Sequence, residues 1–334
     1  MARSRRLGDN AGMFLIIDGN NLAWAGYYAL ERAMKPDTPE RRRRVALLGL
    51  ASMALGAVAR GGVAPGAAPL TLSRVAICFD DGRPLRRRAM YAPYQMGREA
   101  DPKFTGNEPT VLDAIAEFSA MAAMLPVEVL RLENTEADDL IAGLVAADPA
   151  TPKRIVSGDR DFLQLVSATT SIYSPVKKTV IDETNFFEHA APTTSAGDRV
   201  EFPRERFLDY RTVVGDPSDS LPGVPGGGPL SAAKLVAAAP LDAYFGRPDA
   251  VRDALGRRNE PMERAFADGT AEAIVRRNRT LMDLRAPSPC WDELAQATRR
   301  GTYDDAAFAA WLGEQRIPSL DGKLLRAQAG ALAP

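Results

Sequence analysis

Phe14-Leu-Ile-Ile17, closed by Asp18, is the stretch from which the fold can be read. Four consecutive apolar residues with no polar alternation describe a strand covered on both faces, and the carboxylate that ends it stands at the strand's carboxyl end. The device recurs at Val75-Ala-Ile-Cys-Phe79, followed by Asp80, and at Arg154-Ile-Val156, followed by Ser157-Gly158-Asp159. Helical patterns fall between and after these runs, at residues 41–60, 108–125, 136–147 and 160–167. This βαβ rhythm predicts an α/β fold with a mostly parallel central sheet flanked by helices. Its acids gather at the strand ends where ligands bind in open α/β sheets.

With 334 residues, 46% of them hydrophobic and 25% charged, the chain has the balance of a globular protein, which excludes disordered, collagenous and coiled-coil readings. Two cysteines, Cys78 and Cys290, and one histidine, His189, exclude a Cys/His zinc site and a disulfide framework. Cys78 reads as core, His189 as surface, and Trp24, Trp291 and Trp311 as packing residues. The formal charge of −1 hides a cation set made mostly of arginine. Arginine suits phosphate recognition, although a GC-rich coding sequence gives the same bulk bias. Met13-Phe-Leu-Ile-Ile17 is too short for a signal-peptide core, and Val45 to Ala59 is too short for a membrane span, so a cytoplasmic protein without a membrane partner is expected. Beyond about residue 206 the strand signal fades into helix-compatible sequence, broken by Leu221-Pro-Gly-Val-Pro-Gly-Gly-Gly-Pro229.

The acids carry the chemistry. Besides Asp18 and Asp80, Glu136-Ala-Asp138-Asp139 opens a helix, Ser157-Gly-Asp159-Arg-Asp161 follows a buried strand, and Gly215-Asp216-Pro-Ser-Asp219 precedes the Gly/Pro hairpin. Taken singly, Asp18 and Asp80 read first as helix caps or turn residues, and the other acids also admit that reading. Together, nine carboxylates stand at five loop positions that the topology can bring to one sheet edge. Such a set lacks nitrogen and sulfur ligands, so it indicates hard divalent ions, Mg²⁺ or Mn²⁺. Two or more such ions serve phosphoryl transfer, and metal-dependent phosphodiester hydrolysis follows.

The segments Ile17-Asp-Gly-Asn-Asn-Leu22, Cys78-Phe-Asp80, Glu136-Ala-Asp-Asp-Leu140, Ser157-Gly-Asp-Arg-Asp161 and Val214-Gly-Asp-Pro-Ser-Asp-Ser-Leu-Pro-Gly-Val-Pro-Gly226 resemble the 5′ nuclease family. That family comprises bacterial and phage flap endonucleases and the 5′–3′ exonuclease domain of DNA polymerase I. The likeness in order and spacing runs over about residues 13–285. It implies a PIN-like nuclease core over residues 1–205, with a helical arch at about 83–110. It also implies a helical DNA-binding region over 206–334, with a helix-three-turn-helix at about 207–240 and C-terminal helices packing back on the core. By the same resemblance, Asp18, Asp80, Glu136, Asp138 and Asp139 surround the ion at the scissile phosphate, with Asp159 near both ions. Asp161, Asp216 and Asp219 hold the second. The implied partner is DNA with a free 5′ end, flap or nick, or an RNA–DNA hybrid, bound by a monomer.

Between Arg83 and Lys103 the basic residues Arg83, Arg86, Arg87, Arg88, Arg98 and Lys103 outnumber the acidic Glu99 and Asp101, and Tyr91 and Tyr94 are interleaved. That composition suits a single-strand channel, and equally a solvated charged loop. The family's Tyr-Lys-x-x-Arg stands here as Tyr94-Gln95-Met96-Gly97-Arg98, so Arg98 is kept as a catalytic candidate while Gln95 donates a hydrogen bond without charge. Ala25 stands where the family commonly has arginine. In the hairpin, Gly223, Gly226 and Gly228 let the backbone approach a phosphate, and Ser231 and Lys234 follow on the next helix. The resemblance adds a K⁺ ion there, held by carbonyls and Ser231. The expected function is a divalent-metal-dependent 5′–3′ exonuclease or structure-specific flap endonuclease of replication and repair. The alternatives are a catalytically weakened DNA-structure-binding protein of the same fold, and a small-molecule phosphatase.

Overall fold

The computed structural model describes residues 12–285, 289, 291–317 and 320–333; Cys290 and the Arg-bearing start before Gly12 lie outside the described residues. The chain divides into two compact units. One comprises Met1–Pro84, Gly106–Thr184 and Pro287–Pro334, and the other Leu85–Thr105 and Asn185–Ala286.

The first unit is built on a seven-stranded sheet. Strands β1 (Met13–Asp18), β2 (Leu72–Cys78), β3 (Glu128–Leu130), β4 (Lys153–Val156), β5 (Thr170–Ser174) and β6 (Thr179–Ile181) lie in the order β6-β5-β4-β1-β2-β3, and the strand Thr298–Arg300 completes the far edge. β1 is central and parallel to both neighbours, with Leu15 opposite Val75 and Arg154. It is apolar throughout because both of its faces are covered, and Phe14 to Ile17 are essentially without exposure. β2 to β3 and β4 to β5 are also parallel, and only the two edges, β5 to β6 and β3 to Thr298–Arg300, are antiparallel. The short edge strand Thr298–Arg300 carries no apolar signal, which explains why the sequence beyond 206 reads as wholly helical. The segment expected as a helix at 160–167 is instead a single 3-10 turn, Asp161–Leu165, because Val166 turns extended.

The core under the sheet gathers Leu15, Ile17, Leu22, Leu50, Phe79 and Phe118, with Leu325 and Leu332 of the helix Gly322–Leu332 joining the same cluster. The helices Gly19–Met34 and Pro39–Arg60 cross at Gly26 and Gly49, where a Cβ on either residue would stand 2.4 Å from the other's carbonyl carbon. Such backbone contact tolerates only glycine. The run Val45–Ala59 forms part of the second of these helices, and among the described residues no helix is long and apolar enough to cross a membrane.

The second unit is mostly helical. The helices Phe207–Val214 and Thr270–Met282 pack together, and Tyr94, Leu208, Leu221, Leu281 and Met282 form an apolar cluster. Asn278 is fully buried, and its Nδ2 donates to the carbonyls of Thr212 (2.9 Å) and Pro222 (3.1 Å), which ties the two-stranded turn Gly215–Asp216 and Leu221–Pro222 to both helices.

Substituting Gly49→Val forces the two crossing helices apart. The expected cost is about 1–3 kcal/mol or more of unfolding free energy, read in urea melts, and an unchanged midpoint would show that the crossing does not constrain the fold.

Candidate active site

The sheet reverses its winding between β1 and β4, and ligands of open α/β sheets bind outside the carboxyl ends of the strands at such a switch point. Asp18 ends β1, Asp80 follows β2 by one residue beyond Phe79, and Ser157-Gly158-Asp159 follows β4. Glu136 is the N-cap residue of the helix Ala137–Ala147, with Asp138 and Asp139 in its first turn. The cap reading is correct for Asp18, whereas Asp80 reaches the first amide of a distant helix. Asp18 Oδ1 accepts the Asn21 amide at 3.0 Å, and Asp80 Oδ1 accepts the Ala137 amide at 2.7 Å. Each bond spends one carboxylate oxygen on the backbone and fixes the direction of the other.

A second tier of side chains holds the acids in place. Asn20 Nδ2 donates to Asp80 Oδ2 at 2.7 Å, while its Oδ1 accepts the Asp80 amide at 3.0 Å. Asn21 Oδ1 accepts the Gly158 amide at 2.8 Å, so consecutive asparagines grip the loops after β2 and β4. The fully buried Ser157 hydroxyl donates to Asp18 Oδ2 at 2.7 Å and accepts the Asp159 amide at 3.0 Å. Asp159 Oδ1 in turn accepts the Asp161 amide at 2.7 Å. Sequence alone marks Asn20 and Asn21 only as an Asn-Asn pair just after a strand-ending Asp, and Ser157 only as the residue after a buried strand.

Burial pushes the Asp18 carboxyl up to about 7, against the hydrogen bonds from Asn21 and Ser157, and the charges of Asp159 and Asp80 add to the rise. Asp138 is raised well above the ordinary carboxylate range by burial and then by Asp159, Asp18, Glu136 and Asp80. The structure therefore brings Asp18, Asp80, Glu136, Asp138 and Asp159 within mutual electrostatic reach. Near them Arg131 lies over the Phe79 ring, 4.9 Å from its centre, and donates to the Ser119 hydroxyl at 3.2 Å. Cys78 is a fully buried core residue of β2, as its sequence predicts. Trp291, read as packing, is 56% exposed.

In the helical unit, Asp216 Oδ1 accepts the Ser218 amide at 2.8 Å and Oδ2 accepts Arg211 at 2.6 Å. Burial acts to raise this carboxyl, but Ser218 and Arg211 outweigh it and hold it below its ordinary value. Asp219 Oδ1 accepts Arg98 Nη2 at 2.6 Å and Gln95 Nε2 at 3.2 Å. Arg87 Nε donates to the Leu281 carbonyl at 3.0 Å, and Arg88 pairs with Glu99 at 2.8 Å, while Arg86 and Lys103 are exposed. Tyr91 lies beneath the Arg277 guanidinium, 4.5 Å from its ring centre. Tyr94 is only 4% exposed and packs among Leu208, Leu221, Leu281 and Met282, so here its ring is a packing element.

At the hairpin, Gly223 backs onto the preceding helix end, where a Cβ would meet the Val214 carbonyl oxygen at 2.3 Å. The Gly226 carbonyl accepts Asn259 Nδ2 at 3.0 Å, and Gly228 is the N-cap residue of the helix Pro229–Ala238. Ser231 is buried with its hydroxyl accepting Arg257 Nη2 at 3.2 Å, and Lys234 is exposed.

Residues 13–191 match the family described as 5′-3′ exonuclease, N-terminal resolvase-like domain. DNA polymerase I of Mycobacterium bovis is 31% identical over 274 residues, covering 81% of this chain but 27% of that protein, so the chain spans a minor part of that relative's length. T5 5′-exonuclease with divalent zinc ions bound is similar at a TM-score of 0.57 and 17% identity, covering 85% of this chain and 96% of that one. A bacteriophage T5 D15 flap endonuclease, solved as a pseudo-enzyme–product complex with DNA and metal ions, is similar at a TM-score of 0.55 and 16% identity, covering 96% and 97%. At such identities the structural likeness speaks for the fold. The matched segment contains Asp18, Asp80, Glu136, Asp138, Asp139, Asp159 and Asp161, and the chain belongs to the 5′-3′ exonuclease family.

Proposed function

We propose that the chain is a divalent-metal-dependent 5′–3′ exonuclease and structure-specific flap endonuclease that hydrolyses DNA phosphodiesters, acting as a monomer on a free 5′ end, flap or nick. The observation that carries this reading is the set of carboxylates at the sheet's switch point, where burial first and the neighbouring acids second push Asp18 up to about 7 and Asp138 well above its ordinary range. Like charges so arranged raise one another unless a cation sits among them, and an all-oxygen donor set suits Mg²⁺ or Mn²⁺. The residues therefore fit the metal that the family implies. Asp18, Asp80, Glu136, Asp138, Asp139 and Asp159 would hold it, and Asp161, Asp216 and Asp219 are assigned to a second ion on the sequence motifs. When bound, such an ion polarises the scissile phosphate and lowers the pKa of the attacking water.

The chain's own groups prepare the site. Ser157, Asn20 and Asn21 keep the acid-bearing loops in register, so the carboxylates need not rearrange when charge develops. The single strand is assigned to the basic segment, with Arg86, Arg87, Arg88 and Lys103 for phosphates, Tyr91 for a base, and Arg98 for the scissile phosphate. Gln95 and Tyr94 flank that arginine. The duplex is assigned to the hairpin glycines Gly223, Gly226 and Gly228 together with Ser231 and Lys234. Attack in line would leave a 5′-phosphate on the retained strand. An α/β core over 1–205 and a helical DNA-binding region over 206–334, its C-terminal helices packing back on the core, is the domain reading that accompanies this function.

A 5′-labelled flap duplex tests the reading. Cleavage near the junction is expected in Mg²⁺ and not in EDTA, and Asp159→Ala should fall to background in Mg²⁺. Ser157→Ala, which frees Asp18 from its donor, should cost about 10–100-fold in rate or metal affinity. Tight, salt-sensitive binding without cleavage in Mg²⁺ or Mn²⁺ would establish the binding-protein alternative instead.

The raised carboxyl sets a pH dependence. Asp18 goes from its ordinary 3.8 in the unfolded chain to about 7 in the folded one, so the folded state holds a proton that the unfolded state has released. Its contribution is full below the unfolded value and is lost as pH rises through the folded one. In EDTA the melting temperature should fall between pH 5 and 8, and Asp18→Asn should flatten part of that slope. Mg²⁺ should restore more stability at pH 8 than at pH 5, because protons compete for the same oxygens. A metal-free melting temperature independent of pH in both proteins would contradict the electrostatic account.

A further inference from the structure

Within the helical unit, the loop between the helices Pro248–Leu255 and Glu260–Ala267 contacts the hairpin and the helix Pro229–Ala238 through two side chains. Asn259, 9% exposed, donates from Nδ2 to the Gly226 carbonyl at 3.0 Å, and its own Oδ1 caps the following helix at Met262. Arg257 donates from Nη2 to the buried Ser231 hydroxyl at 3.2 Å. The neighbouring hairpin carbonyls are used by the backbone itself, with Val224 accepting the Gly227 amide at 2.7 Å and Gly228 accepting the Ala232 amide at 2.9 Å.

A potassium ion held here, as the family resemblance implies, needs several oxygens whose lone pairs point at it. The Gly226 carbonyl already gives one of its two lone pairs to the Asn259 amide. The Ser231 hydroxyl, the side-chain ligand of such a site, instead faces a guanidinium, which would put a second full positive charge one hydroxyl away from the ion. The residues present do not fit a monovalent cation. They fit a built-in one. Arg257 is exposed, makes no ion pair among the described residues, and spends one of its five donors on Ser231, leaving the others for solvent or a ligand. Lys234, whose Nζ lies 3.5 Å from the Leu255 carbonyl, adds a second exposed cation on the helix that carries Ser231.

We infer that Arg257 takes the place of the monovalent cation at the hairpin and supplies the fixed positive charge that meets a duplex phosphate, so that duplex binding by this chain does not depend on K⁺. This rests on the DNA reading above. The planar guanidinium binds two phosphate oxygens where a bound ion would bind them by charge alone, and Ser231 holds it at the hairpin.

The test is fluorescence anisotropy of a labelled flap duplex with the full chain in Ca²⁺, at one ionic strength set by KCl, NaCl or tetramethylammonium chloride. The expected Kd is the same within twofold in all three salts. Arg257→Gln should weaken binding about tenfold, Arg257→Lys should recover only part of the loss because it restores the charge without the fork, and Arg258→Gln, at the adjacent exposed arginine, should match the parent. A severalfold preference for K⁺ in the parent chain, or an Arg257→Gln affinity equal to the parent's, overturns the proposal while leaving the DNA reading intact. Absence of duplex binding in every salt overturns both.

Discussion

Repulsion among carboxylates that the fold forces together is the constraint around which the sheet unit is organised. Asp18, Asp80, Glu136, Asp138 and Asp159 gather beyond the carboxyl ends of β1 and β4, with Asp18 and Glu136 buried and the other three half-buried. Left alone, such a cluster would protonate or spread. It is kept in place by neutral donors: the Asn21 and Ala137 amides, the Asn20 side chain and the Ser157 hydroxyl all donate to Asp18 or Asp80. These bonds lower the cost of each charge without cancelling it, so the cluster keeps its demand for a cation.

The parts of this arrangement that were legible in the sequence are those whose signal is local. β1, β2 and β4 announce themselves by unbroken apolar runs, and each ends in an acid, so both the parallel sheet and its carboxyl edge could be anticipated. The strand Thr298–Arg300 could not, because its existence depends on the free edge of β3 and not on its own residues. The site's supporting tier was hidden for a related reason. Asn20 and Ser157 act through partners 60 and 139 positions away, and no spacing rule links them. Tyr94 shows the opposite failure. Its place among arginines suggests a stacking ring, but the apolar cluster of Leu208, Leu221, Leu281 and Met282 buries it.

The helical unit treats its acids differently. Asp216 is paired with Arg211 and caps the turn by accepting the Ser218 amide, and Asp219 is met by Arg98 and Gln95. Here each acid meets an arginine of the chain itself. Asn259 and Arg257 follow the same logic at the hairpin, closing its oxygens with protein donors.

The departure at Gln95 gains meaning from that contrast. Gln95 takes a left-handed backbone conformation, with φ of 58°, which costs a side-chain-bearing residue energy and persists only where neighbours over-determine it. Asp219 provides that determination twice, accepting the Gln95 amide at its carbonyl at 3.0 Å and the Gln95 side chain at its carboxylate. Arg98, three residues on, already brings the single charge that one carboxylate can neutralise. A lysine at position 95 would add a second full charge to the same oxygen, whereas the amide of glutamine adds only a hydrogen bond. The neutral residue therefore holds the turn without competing with Arg98 for Asp219.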